Sequence, residues 1–148
     1  MSYISELRKY VGHAPIMSPG ATAIIYSKDK GILFEKRVDD GIWCLPGGAL
    51  ELKESFIEGL TREVKEETNL DIFDPTFLTV EANVYVKYPN DDEVYYTDAV
   101  YIVTKFSGDI KPDEESSELH WFKLNELPNN IEEPQREYIN LFIEKKDD

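Results

Sequence analysis

The sequence predicts a layered domain of the α/β or α+β class. Runs of strand-forming residues lie on both sides of one amphipathic helical stretch near residues 54–68, and a second helical stretch closes the chain. With 148 residues, no internal repeat and no low-complexity run, residues 1–148 suit a single domain large enough to bury a core.

Taken in order, residues 2–11 set Ile4, Leu7, Tyr10 and Val11 at helical spacing, with Ser2 as N-cap. Residues 1–13 are thus read as a helical extension that packs on the domain or on a second subunit, which would make a homodimer. Pro15 and Ser18-Pro19-Gly20 end that segment. Residues 21–26 and 32–37 are strands joined by a turn through Gly31. Arg37 closes the second strand, either as a holder of substrate phosphate or as a solvated strand end. Trp43 either stacks on a base or covers the core beneath the following loop. A helix over residues 54–68 carries Ile57, Leu60 and Val64 on one face, which docks on the sheet. Arg62 follows Glu58 by four residues and precedes Glu66 by four, well placed to orient carboxylates.

Beyond Asp74-Pro75, residues 77–87 and 93–106 form a hairpin crowded with Tyr85, Tyr88, Tyr95, Tyr96 and Tyr101. Cross-strand packing accounts for most of these rings, and one or two are candidates for a wall against a nucleobase. A loop through Pro112 and Asp113-Glu114-Glu115 leads to a short strand over residues 119–124, in which Trp121 is opposite in phase to Glu118, His120 and Phe122. Residues 134–143 form the last helix, with Tyr138, Leu141 and Phe142 inward.

Chemistry concentrates in residues 48–70. Glu63, Glu66 and Glu67 lie close together on one helical face, an arrangement that weakens a helix by ~0.2–0.5 kcal/mol per like-charged pair. They fit a solvated acidic face; they also fit a site for a hard divalent cation, because Mg²⁺ prefers oxygen ligands. The residues in front favour the second reading. Trp43-Cys44-Leu45-Pro46-Gly47-Gly48 opens a loop whose glycines bring backbone N–H groups close to a ligand, and the helix that follows favours anions. Loop, helix and carboxylates in that order describe a metal bound to a phosphate.

Gly48, Glu54, Arg62-Glu63-Val64-Lys65-Glu66-Glu67 and Leu70 resemble, in type and spacing, the signature of the Nudix (MutT-type) hydrolases, which here covers about a sixth of the chain. Two positions depart from the pattern. Lys53 stands where a glycine commonly precedes the glutamate, and Asn69 stands where the family has glycine. Asn is the next best residue in the left-handed conformation just past a helix, so Asn69 is read as its C-cap.

The resemblance implies an αβα sandwich around a mixed β-sheet. It also implies hydrolysis of a diphosphate linkage in a nucleoside diphosphate joined to another moiety, of the ADP-ribose, sugar-nucleotide or nucleoside-triphosphate type, with Mg²⁺ or Mn²⁺. Carried onto this sequence, it gives Glu63, Glu66, Glu67 and Gly48 as metal ligands. It adds Arg62 to the catalytic set and supports Arg37 as a substrate contact; Gly47, Gly48 and Trp43 are the further substrate candidates that the loop itself offers. The late acidic loop implies a further glutamate, with Glu118 first, Glu115 next, and His120 as another candidate base. The alternative is a Nudix-fold domain that senses a nucleotide without cutting it.

Composition narrows the partners. A net charge of −14 argues against general nucleic-acid binding and against anionic membranes. It leaves a small polyphosphate open, since bound cations invert the local field. The lone cysteine, Cys44, suits a reducing compartment and is read as a small buried residue. With no apolar signal core or membrane span, the expected location is the cytoplasm.

Overall fold

The computed structural model describes residues 2–114 and 116–147. Helix α1 (Tyr3–Val11) is followed by strands β1 (Ile16–Ser27), β2 (Gly31–Arg37), β3 (Trp43–Cys44) and β4 (Gly47–Ala49), then by α2 (Phe56–Thr68). Next come β5 (Asp71–Phe73), β6 (Thr76–Lys87), β7 (Glu93–Val103), β8 (Lys105–Ser107), β9 (Ser116–Phe122) and α3 (Gln135–Lys146).

The main sheet runs β3-β2-β1-β7-β6, with β4 also on β1 and β9 also on β2. It is mixed, because β1 and β7 pair in parallel while the other pairs are antiparallel. Strand alternation divides the core between two faces. Ala21, Ala23, Ile25 and Leu33 pack with Leu60 and Val64 of α2, while Ile24, Phe34 and Val100 pack with Tyr138, Ile139 and Phe142 of α3. This is the expected sandwich. Among the described residues no helix is long and apolar enough to cross a membrane.

Several sequence expectations shift, each for a physical reason. β1 begins at Ile16 and runs straight through Ser18-Pro19-Gly20, because ten consecutive residues pair with β7 in a register from Ile16↔Val94 to Ile25↔Val103. The long return strand is split: it ends at Val103, and Lys105–Ser107 turns away to pair with β5. β9 starts at Ser116, earlier than its apolar alternation, because the ladder to β2 extends to Arg37↔Ser116. α1 does carry the Ser2 cap, whose hydroxyl accepts from the Ser5 N–H at 3.1 Å, but none of its residues is buried and Tyr10 is 87% exposed.

The central helix starts at Phe56, two residues later than expected, because Ser55 and Glu58 form a reciprocal capping box. That start sets the inward stripe as Phe56, Leu60, Val64 and Glu67, leaving Ile57 44% exposed. Glu58 is consumed by the cap and does not reach Arg62. In α3 the buried arc is Tyr138, Ile139 and Phe142, and Leu141 lies off it at 40% exposure. Asn69 is the left-handed C-cap at φ 70°, as expected. Lys53 is also left-handed, at φ 71°. Its place in the turn before α2 thus demands the conformation that a glycine adopts without cost.

Candidate active site

β1 and β2 pair only at Tyr26↔Ile32 and Ser27↔Gly31 and then diverge. The segment 45–49 enters the gap: the Ala23 N–H donates to the Pro46 carbonyl at 2.9 Å, and β4 pairs with β1 at Gly20↔Ala49, Ala21↔Gly48 and Thr22↔Gly47. A cavity of about 880 Å³ opens there. Its walls come from β1, β2, β6, β7, the 44–51 loop, α2 and residues 132–138, and α1 with its Ser2 cap sits at its rim through Ile4, Ser5 and Arg8.

Because Glu67 lies on the inward stripe of α2, the fold carries its carboxylate into the interior, where the residue is 9% exposed. The Gly47 N–H donates to its Oε1 at 3.2 Å. Beside it is Glu35 of β2, 6% exposed, which accepts from the Ser116 hydroxyl at 3.1 Å and from the Cys44 thiol at 3.7 Å. Burial pushes the Glu67 carboxyl well above the carboxylate range, and the neighbouring Glu35 charge pushes it further; the Glu35 carboxyl is also raised by burial. Among the described residues neither forms an ion pair. Burial and mutual repulsion both favour the protonated form of these neighbouring carboxyls over two charged ones.

Glu63 completes the set. Its carboxylate rests against Gly48, where an added Cβ would meet the carboxyl carbon at 2.6 Å, so the approach needs a glycine. Burial raises the Glu63 carboxyl as well, and Arg62 partly offsets this through an Nη1–H···Oε1 bond of 2.9 Å. Arg62 is the clasp of the region. It donates to both oxygens of Glu54 (2.7 and 2.9 Å), to the Ala49 carbonyl (3.1 Å) and, at 3.4 Å, to Glu66. The first of these bonds, to Glu54, holds the Arg62 guanidinium charged and draws the Glu54 carboxyl down.

The sequence-derived candidates therefore separate. Glu63, Glu67, Gly47, Gly48 and Arg37 line the cavity. Arg37 is engaged there with Glu132 at 2.5 Å and Asp40 at 3.6 Å. Glu66 stands outside at 58% side-chain exposure, on Arg62, yet near enough to Glu63 for its charge to raise that carboxyl. Trp43 is not in the cavity wall; its ring packs edge-on against Phe122 at 4.9 Å and beside His120 at 6.3 Å. Glu118 pairs with Lys36 at 3.7 Å and is half exposed. Neither Glu118 nor His120 lines the cavity, and Glu115 lies outside the described residues. Of the tyrosines, Tyr88 and Tyr96 do form a cavity wall, with their hydroxyls 2.6 Å apart. Cys44 is buried, and burial raises its thiol far beyond the reactive range, so it is not a nucleophile.

Sequence reasoning missed Glu35 and Asp98. The available signal for Glu35 was phase: it shares a strand face with Leu33, which packs against α2, so its charge is aimed at the core.

The chemistry of the donors suits a hard cation. Glu67 and Glu35 offer buried carboxylate oxygens and Glu63 partly buried ones, and a cation would relieve their mutual repulsion. Among the described residues, no three His, Cys, Asp or Glu side chains are already drawn in around one point. The donor types are thus present without a closed ligand shell.

A family model described as the NUDIX domain matches residues 17–142. The chain is 34% identical over 107 residues to the ADP-ribose pyrophosphatase of Methanocaldococcus jannaschii, a match spanning 70% of this chain and 61% of that protein's length. It is similar to the crystal structure of a MutT Nudix hydrolase from Burkholderia pseudomallei, with a TM-score of 0.72 and 28% identity over 84% of this chain and 97% of that one. The MutT protein from Methanosarcina mazei shares the fold at a TM-score of 0.74 and 22% identity, covering 90% of this chain and 98% of that one. By sequence and by fold alike, the chain belongs to the Nudix family.

Proposed function

We propose that this protein hydrolyses a diphosphate linkage in a nucleoside diphosphate joined to another moiety, with Mg²⁺ or Mn²⁺ as cofactor. The observation that carries this reading is the carboxylate set of buried Glu35 and Glu67 with partly buried Glu63, beside the Gly47-Gly48 backbone on one wall of a cavity of nucleotide size. Glu63 and Glu67, with the Gly48 carbonyl and with Glu66 at the rim, are the assigned metal ligands. Glu35 holds Glu67 in place. The bound cation supplies charge neutralisation for the phosphate oxygens and lowers the pKa of water.

The protein's own groups do the rest. Gly47 fixes Glu67 through its N–H, and Arg62 fixes Glu63 while tying the loop to α2 through the Ala49 carbonyl. Glu63 is the more accessible of the two and is assigned to take the proton of the attacking water, since Glu118 and His120 lie outside the cavity. ADP-ribose heads the substrate panel, because the archaeal relative carries that activity in its name. Glu63→Gln tests the reading: turnover should fall by about 10²–10⁴ with nucleotide binding retained. An unchanged rate would remove Glu63 from the chemistry.

A further inference from the structure

Helix α1 precedes residue 17, where the family match begins, yet it borders the cavity. Its two ends are fastened to different walls. At one end the Tyr3 N–H donates to Glu51 Oε1 of the 44–51 loop at 2.6 Å. At the other end Arg8, whose side chain is 11% exposed, donates to the carbonyls of Gly12 (3.0 Å), Ala14 and, at the start of β7, Glu93 (2.9 Å). Its Nε lies 3.5 Å from Asp92 Oδ2, and His13 Nδ1 lies 2.7 Å from the other Asp92 oxygen. Glu51 and Asp92 both line the cavity. A helix of nine residues is about 13 Å long, so α1 forms a bar from the 44–51 loop to the β6–β7 turn.

Little apolar contact holds this bar down. No residue of α1 is buried, and Ile4 and Leu7 belong to neither core cluster. An isolated helix of this length is marginal in water, so α1 keeps its form only while it is docked. Segments held by few buried apolar contacts open at a small free-energy cost, and the lids of binding sites are drawn from them. Gly12 supplies the joint: it sits at φ 62°, and a Cβ there would meet nothing within 4 Å. Ile4 and Ser5 line the cavity from α1, and Tyr88, Pro89 and Asn90 line it from the β6–β7 turn. A ligand between the two would give α1 the contacts that its docking lacks.

We propose that α1 is a lid that closes over a compact nucleoside diphosphate compound and limits the size of the substrate. Arg8 is a positioning residue: it sets the lid against the β6–β7 turn. A compound with one nucleoside and a sugar ends beneath the bar, whereas the second nucleoside of a dinucleoside polyphosphate has to pass it. This assignment rests on the reading of the cavity as a nucleoside-diphosphate site.

The test is hydrogen–deuterium exchange of the full chain with Mg²⁺, alone and with AMP, GMP, CMP or UMP, beside calorimetric titration with the same probes. None of these contains an anhydride to cut. With a nucleotide bound, the α1 amides should exchange about tenfold more slowly or better. Arg8→Ala should leave them fast in either case and weaken nucleotide binding by about three- to tenfold, while α2 and β7 amides exchange as in the parent. Arg8→Lys, which keeps the charge beside Asp92 but not the fork of donors, should recover only part. In kinetics, Arg8→Ala should raise KM for a nucleotide sugar by the same factor as it weakens binding. It should also narrow, by about fivefold, the kcat/KM margin of a nucleotide sugar over a dinucleoside polyphosphate. If Arg8→Ala loses protection throughout the chain, Asp92→Asn loosens the same tie from the other side and stands in. A nucleotide that binds without slowing α1 would overturn the lid, as would unchanged binding or an unchanged substrate margin in the variant. Chelator-sensitive turnover with α1 exchange indifferent to nucleotide would remove this inference and leave the hydrolase reading intact. Slowed α1 exchange without turnover of any polyphosphate would do the reverse, and neither binding nor turnover would remove both.

Discussion

Replacing Glu67 by Gln should make the metal-free protein more stable. Glu67 is buried against Glu35, and that burial raises its carboxyl well above the ordinary carboxylate range. Gln is neutral at every pH, its amide can donate to Glu35, and its carbonyl oxygen can keep the Gly47 N–H. The sign follows from linkage. The folded-state pKa of Glu67 is raised, so between the ordinary carboxylate range and that raised value the folded state binds more protons than the unfolded state. The parent protein therefore loses stability as pH rises through that window, and Glu67→Gln does not. Each pH unit over which the fold must retain the proton costs about 1.4 kcal/mol. At pH 8 the variant should be the more stable by at least about 1.4 kcal/mol, the worth of a single pH unit, which for a chain of this length raises Tm by ~3–6 °C. The gain should shrink towards pH 5.

Metal reverses the order. A cation at a hundredfold above its Kd stabilises the parent protein by about 2.7 kcal/mol, and the variant, having lost a charged ligand, should respond far less. Thermal melts of both proteins at pH 5 and pH 8, with chelator and with Mg²⁺, measure all of this. A lower Tm for the chelated variant at pH 8, or an equal Mg²⁺ shift in both proteins, would refute the reasoning.

Other perturbations follow from the same geometry. Gly48→Ala places a Cβ 2.6 Å from the Glu63 carboxyl carbon, so it should displace that side chain and reduce turnover at least tenfold in a protein that still folds; steady-state kinetics with a thermal melt check both parts. Lys53 and Asn69 each hold a left-handed conformation at φ near 70°. Lys53→Gly should stabilise by about 0.5–1 kcal/mol and Asn69→Gly by less, seen as urea midpoints that rise with unchanged slope. Ser55→Ala removes the hydroxyl half of the capping box and should cost about 1 kcal/mol in the same assay, with little effect on KM.

What the sequence made legible follows the range of the interactions concerned. The α2 carboxylates, the hairpin of β1 and β2 and the Asn69 cap are set by neighbours within a few residues, and each was readable from spacing and side-chain type. The extension of β1 through Pro19 was not, because it depends on parallel pairing with β7, some eighty residues away. Local turn chemistry argued the other way and lost to that ladder.

The interior half of the site was hidden for the same reason. Glu35 looks like any strand residue until Glu67 arrives beside it from α2, and Asp98 sits inside an apolar-aromatic strand with no local mark. Phase errors were small but consequential. A helix starting at Phe56 instead of Glu54 trades Ile57 for Phe56 on the inward face and shows why Glu67 is buried. Glu118 was favoured for its acidic neighbourhood, and the β2–β9 register sets it against Lys36 instead.

The central claim is that the cavity cuts a diphosphate bond with the help of a divalent cation held by α2. The most direct measurement is nucleotide release by the purified protein from ADP-ribose, other sugar nucleotides, nucleoside triphosphates and dinucleoside polyphosphates, with Mg²⁺, with Mn²⁺ and with chelator. The account predicts turnover of one class well above the rest, abolished by chelator and cut by about a hundredfold or more by Glu63→Gln. Turnover that survives both, or none on any substrate from a folded protein that binds the cation, would contradict it.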